Sequence, residues 1–427
     1  METHMSRSPP SGIRVIVVGA GFAGIAAAIE CDRKGHSVTL LEKAQDVDEI
    51  MRLGDIISFD PNGSKAFERW PGVIEAMERI ARQTTWLDLY HYEGKFVTRQ
   101  SFAGEKPWGR RINGHRGELH NIIYKHAKSR GIDIRLGQRV TDYFENDEQA
   151  GVVSNGQRFT ADVVIAAEGV RSRGRKIVLG SEDSPKSSGY AVYRAWFPAT
   201  DLAKNPKTRH LVSNGDTHQG FIGPDIHFLA SSLKNGTEFN WVFTHVDDGN
   251  IEESWQFPGK VDEALAYLKG WAPLVHEIVK TTPPDRLIDH KLVYRSPLPT
   301  FISPKARIAL IGDAAHPFLP TSIQGASQSI EDGVVLATTL ELSGKHRVPL
   351  GVRAFEKLRY DRVHRAQATG PATRERWHRA NWDEVWIRPE LIHLAREPWL
   401  LHFDAELDAY ERYNVVVSSM EMTKAHI

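Results

Sequence analysis

The sequence predicts an α/β protein whose parallel-sheet domain is interrupted by an antiparallel sheet and followed by a helical C-terminal region. The glycine-rich turn Gly19–Gly24 directly follows the apolar run 15–18. A second apolar run, 308–311, ends far down the chain at Gly312-Asp313. Residues 185–257 between them are mostly strand-like with repeated turn signals, which favours an inserted antiparallel sheet.

Composition bounds the class of protein. The 427 residues are long enough for two domains, and 54 acidic side chains balance 54 basic ones. This balance gives no field that favours nucleic acid or an anionic membrane. The single cysteine, Cys31, suits a reducing compartment. No stretch approaches the ~20 apolar residues of a membrane span, so we expect a cytoplasmic protein, a monomer or homodimer.

The first elements form a mononucleotide-binding unit. Residues 13–43 predict strand, turn, helix and strand, whereas the polar segment 1–12 is expected to be a disordered leader. The glycines let backbone N–H groups and a helix N-terminus approach a pyrophosphate. Glu42 ends the second strand, where a carboxylate binds a ribose hydroxyl and disfavours the 2′-phosphate of NADPH. The candidate ligands here are Gly19, Gly21, Gly24, Glu42 and Lys43.

The second motif decides between FAD and NAD. The strand at 308–311 delivers Asp313 to a position where it could bind a ribose or ribityl hydroxyl. The following segment, 314–328, is rich in small residues, so it can pass close to a planar ring and begin a helix beneath it. A simple NAD dehydrogenase requires no such second motif. The two motifs together therefore predict FAD.

The remaining pattern sets the domain organisation. A helical stretch is predicted over roughly 61–82 and a helix over 261–280, and residues 325–415 are largely helical. We expect a glutathione-reductase-like Rossmann domain for FAD, an antiparallel β-sheet domain for the substrate and a helical extension. The expected segments are 13–84, 105–184 and 288–345 for FAD, 85–104 and 185–287 for the substrate, and 346–427 for the extension.

These motifs as a set resemble the flavin-dependent aromatic hydroxylases of the para-hydroxybenzoate hydroxylase type, nearest to their salicylate-hydroxylase-like and fungal secondary-metabolite branches. The resemblance covers about residues 13–340 in the family's order. The matching motifs are Gly19–Gly24 with Glu42, Pro61-Asn62-Gly63, His115–His120, Ala167–Ser172, and Gly312–Pro317 continuing to Pro320, Gln324-Gly325 and Glu331-Asp332.

The resemblance implies a single-component monooxygenase. NADPH or NADH would reduce the flavin, O2 would add at its C4a carbon, and the hydroperoxide would hydroxylate, epoxidise or dearomatise a phenol, aromatic acid or indole-type metabolite. It also implies that Arg116 lies over the flavin and ribityl region, that Asp313 binds the ribityl chain and that Pro320 lines the reacting edge of the ring. Val140 and Gly325 complete the expected cofactor set.

Substrate residues are expected on the inserted sheet. Arg194 could hold a phenolate or donate a hydrogen bond to the peroxide as oxygen leaves. Tyr193 points the opposite way on a strand, so only one of the two should face the flavin. Trp196, His227 and Trp241 fall on strands that could form the wall of an aromatic pocket. A one-residue slip in register would exchange the inward and outward sets.

Two alternatives stay open, and one residue departs from the family pattern. A flavoenzyme of the same fold could act as a dehydrogenase, oxidase or halogenase without inserting oxygen, or a member of the fold could bind flavin without catalysis. Glu168-Gly169 stands where the family usually has Asp-Gly, which puts the role of that motif in doubt. No HExxH, paired CxxC or carboxylate cluster predicts a metal site.

Overall fold

A computed structural model describes residues 7–51, 55–183, 186–247 and 257–425. The strands are β1 (Arg14–Val18), β2 (Ser37–Leu41), β3 (Ile56–Phe59), β4 (Trp86–His91), β5 (Phe96–Ser101), β6 (Ile112–His115), β7 (Asp133–Arg135), β8 (Val140–Glu145), β9 (Ala150–Ser154), β10 (Gln157–Ala161), β11 (Val163–Ala166), β12 (Lys186–Pro198), β13 (His218–Gly223), β14 (Ile226–Leu233), β15 (Glu238–Val246), β16 (Phe257–Pro258), β17 (Leu287–Tyr294) and β18 (Ile308–Leu310).

The α-helices are α1 (Phe22–Arg33), α2 (Val47–Met51), α3 (Pro61–Phe67), α4 (Val73–Ile80), α5 (Arg116–Ser129), α6 (Gly174–Leu179), α7 (Thr200–Lys204), α8 (Val261–Tyr267), α9 (Pro273–Lys280), α10 (Gly325–Ser343), α11 (Val348–His378), α12 (Trp382–Val385), α13 (Pro398–Leu401) and α14 (Ala405–Ala425). No helix in these described ranges combines the length and apolar character that crossing a bilayer requires.

A parallel sheet forms the centre of the first layer. Its strand order is β18-β11-β1-β2-β7, and the apolar runs of β1, β11 and β18 are almost completely buried, as expected for strands covered on both faces. Helix α10 packs closely on α1, because Gly333 leaves no side chain where a Cβ would lie 2.7 Å from Ala27 N. The predicted Rossmann sheet is confirmed.

A second sheet of eight strands has the order β16-β17-β12-β15-β14-β13-β4-β5. The inserted sheet was predicted to be antiparallel, but it is mixed, because β4 pairs with β13 in parallel. This pairing adds the β4–β5 hairpin, contributed by an earlier part of the chain, to the edge of the sheet. One face packs on α8 and α9 around buried aromatic side chains, including Phe228, Trp241 and Phe243.

The structure divides both predicted helical segments. The helical stretch predicted over roughly 61–82 contains two helices, α3 and α4, because the chain turns at Gly72 with a φ of +76°. The helix predicted over 261–280 is likewise divided into α8 and α9, with Gly270 at φ +83° between them.

Within the predicted leader, the N–H group of Ser8 donates to the carbonyl oxygen of Arg33, the last residue of α1, and that of Ser11 donates to the carbonyl oxygen of Gly35 (2.9 Å each). Residues 1–6 lie outside the described residues.

Candidate active site

The glycine turn leaves its backbone accessible to a ligand. Gly19 has a φ of +99°, and a Cβ there would lie 2.5 Å from the carbonyl oxygen of Ala167. A Cβ at Gly24 would lie 1.9 Å from the carbonyl oxygen of Gly19. Gly21 differs, because nothing lies within 4 Å of the place a Cβ would take. Gly19 and Gly24 are thus required by the fold, whereas Gly21 borders open space suited to a pyrophosphate.

Glu42 lies beside this turn, as predicted for the residue at the end of β2. Its buried carboxylate accepts hydrogen bonds from the backbone N–H groups of Ala20 (2.6 Å) and Ala44 (2.9 Å). Val140 is buried in the apolar cluster that includes Leu41, so it lies close to the same strand end. Lys43 is exposed.

Arg116 and Asp313 interact electrostatically, although distant segments of the chain carry them. Burial lowers the pKa of Arg116 against the opposing effect of Asp313. Burial raises the pKa of Asp313, while the charges on His316 and Arg116 oppose that rise. The Arg116 guanidinium also lies 5.6 Å from the ring centroid of Phe22, at the start of α1. Arg116 therefore lies next to the glycine turn, within electrostatic range of Asp313.

Asp332 on α10 fixes the loop that carries Asp313. It accepts hydrogen bonds from the backbone N–H of Gly312 (2.8 Å) and from Nε2 of His316 (2.6 Å). Nε of Arg359 donates to its other carboxylate oxygen at 2.8 Å. A Cβ on Gly312 would lie 2.7 Å from that of Ala23, so α1 and this loop touch through small residues.

The loop predicted to line the flavin ring is held by a second buried carboxylate. Nε2 of Gln324 donates to Asp60 at 2.7 Å, and Nδ2 of Asn62 donates to Oε1 of Gln324 at 3.0 Å. Gly325 follows as the first residue of α10. Pro320, earlier in the loop, is exposed. These bonds fix the loop against α3.

Glu168 holds the turn that leads into α6. Its carboxylate accepts from the hydroxyl of Ser172 (2.6 Å) and from the backbone N–H of Gly174 (3.2 Å) at the start of α6. At the next residue, Nη1 of Arg175 donates to the carbonyl oxygen of Ala314 at 2.7 Å. The motif at 168–169 is thereby connected to the loop that carries Asp313.

Strand register defines a partly exposed row on one face of the second sheet, which we call the cleft floor. Directly paired residues share a face, and the chain of pairs runs from Ile288 to Arg194, then Val242, then Leu229. All four are partly exposed. The next row, through Val192, Thr244 and His227, is buried. The face therefore opens along one row that combines three apolar side chains with one arginine.

Arg194 is connected to the cofactor side through Asp55. The two side chains form an ion pair, and the carbonyl oxygen of Asp55 accepts from the backbone N–H of Arg116 at 2.7 Å. Burial lowers the pKa of Arg194 to about 10, so the guanidinium remains charged at neutral pH. Burial and the Arg194 charge lower the pKa of His290 to about 4, which keeps that imidazole neutral.

The structure places the other predicted substrate residues in different surroundings. Trp196 shares the face of Arg194 and donates from Nε1 to Glu238 at 2.7 Å. His227 also shares that face, where its Nδ1 is hydrogen-bonded to Nε2 of His378 at 2.8 Å. Tyr193 and Trp241 lie on the opposite face, in the core against α8 and α9. The structure therefore does not bring those two to the cleft.

Sequence analysis missed Asp55, Val242 and Leu229. Val242 and Leu229 alternate with the buried aromatic residues Phe243 and Phe228, so the period of two was visible in the sequence. Which set faced inward depends on the register between strands. Asp55 carried no sequence signal, because it stands outside every motif.

The chain matches known proteins over nearly its whole length. The model of the FAD binding domain family matches residues 12–366. The asperlicin C monooxygenase of Petromyces alliaceus is 36% identical over 434 residues, which cover 99% of this chain and 93% of that protein. FqzB superposes with a TM-score of 0.89 at 38% identity, covering 98% of this chain and 96% of FqzB. CtdE, solved with FAD and its substrate 4, gives 0.89 at 33% identity, covering 96% and 100%.

Proposed function

Because this chain belongs to the FAD-binding-domain family and is an FAD-dependent monooxygenase of its fungal secondary-metabolite branch, we propose that it transfers one oxygen atom from O2 to an electron-rich aromatic ring. NADPH or NADH is the proposed reductant. This membership decides against the dehydrogenase, halogenase and non-catalytic alternatives. The ring-oxidising reaction, its substrate and the site residues are our proposal.

One observation carries it: Asp55 connects Arg194 on the cleft floor to Arg116, which interacts electrostatically with the predicted ribityl ligand Asp313. A single residue therefore holds the substrate side and the cofactor side together. The apolar side chains of Ile288, Val242 and Leu229 on the same floor suit an aromatic ring better than a sugar or a polar acid.

FAD, when bound and reduced, supplies the activated oxygen. The proposed roles of the chain's own residues follow from their surroundings. The cleft floor excludes water from the reacting ring, which limits unproductive loss of the oxygen. Arg194 presents a charged N–H donor where a phenolate or a departing oxygen would carry negative charge. Its ion pair with Asp55 fixes the direction of the guanidinium.

The test begins with the absorbance spectrum of the purified protein. NADPH and then NADH would be added in air with phenols, indoles and asperlicin C, the compound after which the relative from Petromyces alliaceus is named. We expect one aromatic compound to accelerate NAD(P)H oxidation and to gain one atom from isotope-labelled O2. Oxidation that no aromatic compound accelerates and that yields only hydrogen peroxide would contradict the proposal.

A further inference from the structure

A row of polar side chains borders the cleft floor on the second sheet. Cross-strand pairing joins Trp196 to Asn240, Asn240 to Ser231, and Ser231 to His218, so all four share the face of Arg194. Ser231 is two residues from Leu229 of the floor, a separation of about 7 Å along a strand. The row is therefore adjacent to the place proposed for the substrate.

Arg82 lies against this row and is only 5% exposed. Its Nη1 donates to the hydroxyl of Ser231 at 3.0 Å. Its Nε and Nη2 have no hydrogen-bond partner among the described residues, and the same holds for Nδ1 of His218 and Nη1 of Arg111. Burial lowers the pKa of Arg82, and the charge of Asp216 opposes that effect. The carboxylate oxygens of Asp216, however, accept hydrogen bonds from the backbone N–H groups of residues 83 and 236.

A buried guanidinium without partners is costly, because arginine does not shed its proton in proteins. Burial and the nearby charge of Arg111 hold the pKa of Arg82 well below its ordinary value. Arg359 provides an internal comparison. It is 1% exposed, yet its three nitrogens donate to Asp332, Glu331 and Gln328. Arg359 thus donates from all three guanidinium nitrogens, whereas two of the three nitrogens of Arg82 have no partner among the described residues.

Nε and Nη2 form the side-on edge of a guanidinium, whose parallel N–H groups match the two oxygens of a carboxylate. This chain uses that edge repeatedly. Arg99 binds Asp88 with it at 2.6 and 2.9 Å. Arg396 binds Glu105 with it at 2.7 and 2.6 Å. The unused edge of Arg82 therefore has the shape and charge of a recognition element for planar oxygen acceptors.

We propose that Arg82, with His218 and Arg111 beside it, forms a subsite that binds a carbonyl-type oxygen of the aromatic substrate, either a carboxylate or an amide carbonyl. The inference rests on the proposed function, because it names the substrate class of the same cleft. An acceptor oxygen bound there would pair the unused donors and separate the two guanidinium charges. The aromatic ring would then extend over Leu229 and Val242 toward Arg194.

Ligand titration of the FAD-loaded protein tests the subsite without turnover. The probes are benzoate, benzamide and toluene, which differ only in the group attached to the ring, and binding is followed by the flavin absorbance. We expect wild-type protein to bind benzoate or benzamide more tightly than toluene. Arg82→Met should weaken that binding about tenfold or more, equivalent to about 1.4 kcal/mol, and leave toluene binding unchanged.

Matched variants separate recognition from folding. Arg79→Met removes an exposed arginine of α4 and should bind all three probes like wild type. Arg82→Lys keeps the charge but lacks the two-donor edge, so it should show the same loss if Arg82→Met does not fold. Loss confined to benzoate assigns a carboxylate, and loss of benzamide binding assigns an amide carbonyl.

The proposed subsite would be overturned if a folded Arg82 variant bound benzoate and benzamide as tightly as the wild-type protein does. So would a wild-type protein that prefers neither of them to toluene, because the buried donors would then serve only solvent. These outcomes are independent of oxygenation. A protein that binds benzoate through Arg82 but oxygenates nothing refutes the proposed function alone.

Discussion

Gln324 donates a 2.7 Å hydrogen bond to the buried carboxylate of Asp60, which joins the loop before α10 to α3. Asp60 also accepts two hydrogen bonds from Arg396, at 2.7 and 3.0 Å. A residue of the C-terminal region is thereby linked, through one shared carboxylate, to the loop predicted to line the flavin ring. This relationship gives the helical extension a physical role in holding the site.

Arg396→Met should destabilise the protein by about 3–5 kcal/mol, because it leaves the buried Asp60 with a weakened set of charge partners. Urea unfolding measures this loss. The exposed Arg388, whose partner Glu384 is also exposed, provides the control, and Arg388→Met should cost less than about 1 kcal/mol. Similar losses of unfolding free energy in both variants would show that the buried ion pair stabilises the protein no more than the exposed one does.

Acid should weaken the same region. Burial alone would raise the pKa of Asp60, but Arg396 and Arg111 hold it below its ordinary value of 3.8. Burial likewise opposes Arg362 and Arg359, which hold the pKa of Glu331 below 4.5. Stability from depressed carboxyl pKa values is present above the unfolded values and is lost as the pH falls through the folded values.

The measurement is the free energy of unfolding between neutral pH and about pH 3. We expect a decline that begins near the unfolded pKa values and steepens below them. Asp60→Asn should reduce the slope of that decline, because the variant has one fewer proton to take up. An unchanged slope would exclude Asp60 as a source of the acid sensitivity.

Gly21→Ala should yield folded protein that retains little FAD. A Cβ at this position meets nothing within 4 Å, so the fold tolerates it, whereas a pyrophosphate approaching the backbone would not. Flavin absorbance per protein, together with the melting temperature, checks both parts. Gly19→Ala should instead fail to fold, since its Cβ would lie 2.5 Å from a backbone oxygen. Gly21→Ala with full flavin content would refute this placement of the pyrophosphate.

Asp313→Ala should also lower flavin retention, because the ribityl chain would lose a hydrogen-bond acceptor. The variant should keep its fold, since the loop is held by Asp332 through Gly312 and His316. The FAD dissociation constant of apoprotein reloaded with FAD is the relevant quantity. Affinity equal to wild type would remove Asp313 from the proposed cofactor set.

Arg194→Ala should keep the yellow colour and lose product formation by about 10²–10³-fold, the usual cost of removing one donor to a developing anion. Product per NAD(P)H consumed is the decisive readout. Arg209→Ala changes an exposed residue of the same domain and should behave like wild type. Normal turnover by Arg194→Ala would mean that the catalytic assignment is wrong.

Trp241→Ala should act on stability rather than on substrate binding. The ring is fully buried against Phe228 and Phe243, and its Nε1 donates to the hydroxyl of Thr282 at 2.9 Å. Removing such a side chain costs about 3–5 kcal/mol. Any folded fraction should show an unchanged KM for the aromatic substrate, whereas a raised KM would return Trp241 to the cleft.

The FAD-binding fold and the identity of its principal motifs follow from the amino-acid sequence alone. The glycine turn after β1 and Gly312-Asp313 after β18 are local patterns, and each forms its element from consecutive residues. Backbone requirements such as the φ of +99° at Gly19 are met by residue type alone. Local chemistry of this kind is readable without the fold.

Which side chains meet depends on how distant segments pack in three dimensions. Asp60 and Arg396 are 336 residues apart, and Arg82 is one of 54 basic residues with no motif of its own. Register, not composition, put Arg194 in the cleft and Tyr193 in the core, because adjacent strand residues point to opposite faces and the pairing between strands chooses which face is buried. Strand pairing and burial between distant segments determine which charged groups interact in the site, and no single stretch of the sequence is sufficient to predict them.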